Sequence, residues 1–186
     1  MDIGTGDDRF VYRSAHAHPD RFFIGIDVQP KALEKISEKI HRGPEKGGLP
    51  NVLFVQAPVE ELPSELDRVA NEPHSFSVGS LLRAVVLGDE EVLAGLRQIA
   101  VSGSWLELVL GVDEGKDAAE AARLKLLALT EHYLRSTMTP RYEAAGFDVQ
   151  QCGIIPPSEW PQLDTTWAKR LRDKRRRRLP LRCRQG

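Results

Sequence analysis

The residues with the clearest chemical potential stand at the start of the chain. Gly4-Thr5-Gly6 lies between Ile3 and Asp7, and Asp27 ends an apolar run about twenty residues further on. Glycines let a backbone approach a bound ligand closely, and a carboxylate at a strand end accepts both hydroxyls of a ribose. No third glycine follows in dinucleotide register, because Asp7, Asp8 and Arg9 stand there. An acidic loop repels a pyrophosphate and suits a ligand that carries an ammonium group, which points to S-adenosylmethionine. A lone Gly-x-Gly also makes a plain tight turn.

A second feature is electrostatic. The 186 residues carry a net charge of −1, yet ten of the 26 Lys and Arg fall between Ala168 and Arg184, beside one acid, Asp173. The remainder is correspondingly acidic. A concentrated basic block on an acidic body fits a polyanionic partner, or a solvated tail. Lys39, His41, Arg42 and Lys46 flank a second loop rich in Gly and Pro, residues 43–50. Cys152 and Cys183 have no metal-binding spacing, and His16 and His18 point apart on a helix, so no metal site is expected. No run of eighteen apolar residues occurs and the N-terminus lacks the stages of a secretory leader. The expectation is a cytoplasmic monomer with reduced thiols and no membrane contact.

The elements that must hold these residues alternate. Residues 22–27 and 51–56 read as strands. Residues 31–40 read as a helix with Leu33, Ile36 and Ile40 on one face. Residues 80–86 and 90–100 look helical, and 105–110 is a strand in which Trp105 is read as core. A long helical stretch covers 116–144 with a break near Pro140, and 147–155 and 179–184 are the last strands. Such alternation predicts an α/β fold with a mostly parallel sheet covered on both faces. One domain, residues 1–186, is expected, with a basic C-terminal segment over 168–184.

Several stretches are similar to one family. Asp2-Ile3-Gly4-Thr5-Gly6-Asp7, Ile24-Gly25-Ile26-Asp27, Gly47-Gly48-Leu49-Pro50-Asn51, the segment 57–62 with Ala57 and Glu60, Gly79-Ser80-Leu81-Leu82-Arg83 and Thr165-Thr166-Trp167-Ala168-Lys169-Arg170-Leu171 occur in order. They resemble the aminoglycoside-resistance methyltransferases that modify N1 of the decoding-site adenine in small-subunit ribosomal RNA. The resemblance implies a Rossmann-like class I methyltransferase with an antiparallel last strand, using S-adenosylmethionine on the small ribosomal subunit. Carried onto this sequence, Asp2, Gly4, Thr5 and Gly6 would line the methionine end of the cofactor, Asp27 the ribose, and Ala57 and Glu60 the adenine. Thr165 and Thr166 would lie near the cofactor. Trp167 would stack on a flipped base and Arg170 support it. Lys39, Arg42, Lys46, Arg172, Arg175, Arg176, Arg177 and Arg178 would meet RNA.

Three positions depart from the family pattern. Only Met1 precedes Asp2, so the first strand is expected to be largely missing and the chain N-terminally truncated and poorly stable. Val78 stands where the family has the second tryptophan of the base sandwich, in a stretch one residue short. Asp8 replaces a glycine. These leave open a catalytically impaired RNA-binding relic, and a small-molecule methyltransferase is the remaining alternative.

Overall fold

The structure is a computed structural model that describes residues 1–6, 9–72, 74–75, 79–112, 118–126, 130–153 and 177–185. Its frame is a seven-stranded sheet in the order β3-β2-β1-β4-β5-β7-β6. The strands are β1 (Asp2–Ile3), β2 (Phe23–Asp27), β3 (Val52–Gln56), β4 (His74–Ser75), β5 (Trp105–Val112), β6 (Phe147–Cys152) and β7 (Arg177–Gln185). Pairing is parallel from β3 through to β5, and β7 runs antiparallel to both β5 and β6.

Strand β1 has only two residues, yet it is central: Asp2 and Ile3 pair with Gly25 and Ile26 on one side and with His74 and Ser75 on the other. Strand β2 is covered on both faces, with Ile24 and Ile26 buried on one and Gly25 on the other. That is why it reads as a continuous apolar run and not as an alternation. Helices α1 (Arg9–Ala17) and α2 (Pro30–Ile40) pack near β2 and β3. Val11, Ala15, Ile40 and Val52 form a small core there, to which Phe10, Tyr12, Phe23, Ile36, Leu49 and Phe54 contribute. Pro30 begins α2, where its missing N–H is not needed.

A larger core lies under α3 (Gly79–Leu87), α4 (Glu90–Ile99) and α7 (Thr139–Ala144). Asp89 caps α4, its Oδ1 accepting from the N–H groups of Glu91 and Val92 at 3.2 and 3.3 Å. Val92, Leu93, Leu96 and Ile99 line the inner face of α4. Gly95 brings α4 against the turn Val59–Glu61, since a Cβ there would lie 1.8 Å from the Val59 carbonyl oxygen. The last carbonyls of α3 are met by side chains from far along the chain. Tyr142 and Tyr133 donate hydroxyl hydrogen bonds to Val85 and Val86 at 3.0 and 3.2 Å, and Arg141 donates to Leu87.

Three expectations change. The helical stretch breaks after α5 (Ala118–Arg123), before α6 (Glu131–Tyr133), and not near Pro140. Pro140 sits in the first turn of α7, after a wide π turn over Leu134–Met138, where proline is tolerated. The basic segment contains a paired strand: β7 starts at Arg177, two residues before the expected bound, and lies inside the sheet. Trp105 is half-buried, with the Arg184 guanidinium 5.9 Å from its ring centroid.

Candidate functional site

The sheet order reverses between β1 and β4, and ligands of open α/β sheets bind at the carboxyl ends of the strands at such a point. The chain leaves β1 there through Gly4 and Gly6, whose φ angles of 73° and 61° are ones that side chains rarely adopt. The turn is pinned to the neighbouring strand. Gly4 and Thr5 donate their N–H groups to the Ile26 carbonyl at 2.8 and 3.1 Å.

Asp27 is the hub of this corner. Its Oδ2 accepts from Gly6 N at 2.8 Å and its Oδ1 from Gln29 N at 2.8 Å. Its backbone carbonyl accepts from Ala57 N at 3.3 Å. One carboxylate therefore joins the glycine turn to the end of its own strand, and its backbone joins both to the segment after β3. A carboxylate offers about four lone-pair positions, so two remain for hydroxyl donors. Gly25 lies beneath: a Cβ there would stand 2.7 Å from the Phe54 ring and 3.2 Å from Thr5 Cγ2.

Two further polar side chains of this segment are buried. Thr5 is 6% exposed, and its Oγ1 has no hydrogen-bond partner among the described residues. Asp2 is buried at the first position of the central strand and lines a separate cavity of about 490 Å³. A buried hydroxyl with unused capacity, a carboxylate with spare lone pairs and a Gly6 whose added Cβ would meet, among the described residues, the Gly4 carbonyl oxygen alone at 3.9 Å fit a ligand rich in hydroxyl and ammonium donors. Ala57 is buried beside Asp27, and Glu60 is exposed on the turn Val59–Glu61.

The structure thus brings together Gly4, Thr5, Gly6, Asp27 and Ala57, with Glu60 on the adjoining turn, while Asp2 opens the strand that leads into it. Lys39, Arg42 and Lys46 lie around the 43–50 loop, Arg42 and Lys46 exposed and Lys39 half-buried. Arg177 and Arg178 are in β7, in register with Val112 and Gly111. Asp7, Asp8, Val78, Thr165, Thr166, Trp167, Arg170, Arg172, Arg175 and Arg176 lie outside the described residues.

Two structural roles were missed by sequence reasoning. Asn51 directs its amide Nδ2 to the carbonyls of Ala15, His18 and Arg21 at 2.9, 3.1 and 2.9 Å, closing the end of α1. Tyr12 donates its hydroxyl to the Gly47 carbonyl at 2.8 Å. Nothing local marks either residue, since both partners are distant in sequence. Cavities of about 1160 and 490 Å³ also occur, but neither is lined by Gly4, Thr5, Gly6 or Asp27.

The strand order with a reversed seventh strand, the glycine turn after β1 and the acid ending β2 define a class I, Rossmann-like S-adenosylmethionine-dependent methyltransferase. Over residues 1–184 the chain matches the family described as NpmA: 16S rRNA (adenine(1408)-N(1))-methyltransferase, and it belongs to that family. It is 32% identical over 183 residues to the 16S rRNA (adenine(1408)-N(1))-methyltransferase of Streptoalloteichus tenebrarius, covering 95% of this chain and 81% of that one. The Escherichia coli enzyme of the same name is 33% identical over 182 residues, covering 95% and 82%. Among solved structures, the aminoglycoside resistance methyltransferase NpmB1 superposes with a TM-score of 0.82 at 45% identity, covering 98% of this chain and 85% of that one. A mutant of the Catenulisporales acidiphilia 16S rRNA (adenine(1408)-N(1))-methyltransferase, solved with cosubstrate SAM, gives 0.87 at 34% identity, covering 99% and 84%.

Proposed function

We propose that this chain methylates N1 of the decoding-site adenine, position 1408 of 16S rRNA, in the small ribosomal subunit, and so confers aminoglycoside resistance. The family match over nearly the whole chain carries this reading, and the corner built on Asp27 agrees with it. When bound, S-adenosylmethionine supplies a methyl group already activated by the sulfonium.

The chain's own residues then have to place two reactants. Asp2, Gly4, Thr5 and Gly6 hold the methionine end, Asp27 the ribose, and Ala57 and Glu60 border the adenine, with Thr165 and Thr166 nearby. The N1 lone pair of the target needs no general base, so placement is the main catalytic device. Trp167 stacks on the target base after it leaves its helix, offsetting an unstacking cost of a few kcal/mol, and Arg170 supports that pose. The growing positive charge on the base is met by acceptors near its amino group. Arg42, Lys46, Arg172 and Arg175 to Arg178 supply phosphate contacts, so the RNA is selected mainly by shape. The protein acts on ribosomal subunits in the cytoplasm, as a monomer.

Tritiated methyl incorporation into purified small subunits tests this, with reverse transcription halting at the modified adenine. Wild-type transfer and its loss in Trp167→Ala are expected. Cofactor binding without transfer to any small subunit would falsify the enzymatic reading and leave an RNA-binding relic.

A further inference from the structure

The loop over residues 43–50 is closed mostly on itself. Lys46 N and Gly48 N both donate to the Gly43 carbonyl, at 2.9 and 3.2 Å, and Gly47 N donates to the Pro44 carbonyl at 3.1 Å. Such a loop is a rigid unit that must still be set at an angle to the body. Leu49 N fastens its far end to Ile40 at 3.1 Å. At its tip the described side-chain tether is Tyr12, whose hydroxyl reaches the Gly47 carbonyl at 2.8 Å.

The contact is packed as well as bonded. Gly47 has φ 84°, and a Cβ on it would lie 2.8 Å from Lys39 Cε and 2.9 Å from the Tyr12 hydroxyl. The Lys39 ammonium sits 3.8 Å from the centroid of the Tyr12 ring. Its charge is therefore directed at an aromatic face, the geometry of a cation–π pair. Arg42 and Lys46 differ. Both are exposed, and Arg42 has only a 4.0 Å pairing with Glu38 across largely solvated side chains, which contributes little.

We propose that Tyr12 is a positioning residue for rRNA docking: it sets the attitude of the 43–50 loop, Lys39 locks the tether, and Arg42 and Lys46 carry the phosphate contacts. The inference rests on the rRNA reading above. It assigns to α1, the helix that follows the cofactor turn, the second task of aiming the RNA loop.

Tyr12→Phe removes the hydroxyl and keeps the ring under Lys39. Loss of one hydrogen bond to the loop should raise KM for small subunits about three- to tenfold, while kcat and S-adenosylmethionine affinity stay within twofold. Hydrogen exchange at the Lys46 and Gly48 amides should quicken. Lys46→Met should lower the log–log salt slope of subunit binding by about one, whereas Lys39→Met should raise KM and leave that slope unchanged. Unchanged KM and loop exchange in Tyr12→Phe, with the wild-type chain methylating normally, overturn the proposal alone. A fall in slope for Lys39→Met equal to that for Lys46→Met also overturns it. A wild-type chain that neither binds nor methylates small subunits overturns the rRNA reading, and this proposal with it.

Discussion

Asp27 pins the glycine turn and is the ribose acceptor proposed above, so its removal should move both stability and cofactor binding. The carboxylate accepts two backbone N–H groups at 2.8 Å, from Gly6 and Gln29. Charge-assisted hydrogen bonds contribute about 1.5–3 kcal/mol each where water is excluded. This corner is partly exposed and water replaces some of that, so Asp27→Ala should cost about 1–2 kcal/mol. For a chain of this length that lowers Tm by about 3–6 °C. Asp27→Asn is not the milder change. The carboxamide has one accepting oxygen and one donating nitrogen, so in either orientation an N–H of Gly6 or Gln29 faces an N–H of the side chain. Asparagine should therefore destabilise at least as much as alanine. In both variants S-adenosylmethionine affinity should fall about ten- to a hundredfold, since the ribose acceptor and the tether of the glycine turn go together. Calorimetric titration at a temperature where each variant is fully folded separates the two effects. If both variants bind the cofactor as wild type does, Asp27 is not in the site. If asparagine is tolerated while alanine is not, the bonding pattern drawn above is wrong.

Two further outcomes follow from the rest of the structure. Asn51→Ala leaves the carbonyls of Ala15, His18 and Arg21 without their shared donor and should cost about 1–3 kcal/mol in urea denaturation; Asn51→Asp should cost more, because a carboxylate would face carbonyl oxygens, and a neutral effect of Asp refutes the clamp. Burial, with Asp148 adding to it, pushes the Cys183 thiol up from the ordinary 9.0 to about 12, and burial raises the Tyr142 hydroxyl well above 10.0. Both groups stay neutral in the folded chain while the unfolded chain ionises, so stability is full below pH 9 and should fall above it by about 1.4 kcal/mol per pH unit per group. Urea midpoints across pH 8–11 check this, and Cys183→Ala should move the onset toward the tyrosine range; a flat profile would sink the assignment.

Much of the corner built on Asp27 was legible as structure because local geometry there demands particular residue types. Glycine adopts the φ values at Gly4 and Gly6 without strain, and an acid at the end of β2 can accept from the backbone N–H groups that the turn leaves unpaired. The alternation of apolar runs likewise carried the parallel sheet. What stayed hidden depends on distant partners. Pro140 was read as a helix breaker, yet a proline in a first turn breaks nothing, and the break falls instead between α5 and α6, where Lys125 has a positive φ of 52°. The arginine run ahead of Leu179 carries no apolar pattern, so the sequence places the start of the last strand at 179 and not at Arg177. Pairing with β5 carries the strand back to Arg177. Tyr133, Arg141 and Tyr142 cap α3 from about fifty residues away, which no local pattern signals.

The two cores divide the labour of the fold. The larger one, under α3, α4 and α7, holds the sheet together and includes Ile3 of the two-residue central strand. The smaller one fastens α1, α2 and β3 to one flank. Among the described residues, helix α1 and its flanks are tied to distant segments at several points: the glycine turn that precedes it is bound by Asp27, Tyr12 in its body holds the 43–50 loop, and Asn51 closes its end. A nine-residue helix is marginal alone, so tertiary ties, more than propensity, fix where it lies. The glycine turn and the 43–50 loop are thus referenced to one helix. Substitutions in the outward face of the 43–50 loop can therefore alter RNA contact without disturbing the main core. A change that displaces the α1 backbone should shift the loop and the glycine turn together and move subunit KM and cofactor affinity in the same direction, whereas Tyr12→Phe, which removes one side-chain tether, should move subunit KM alone.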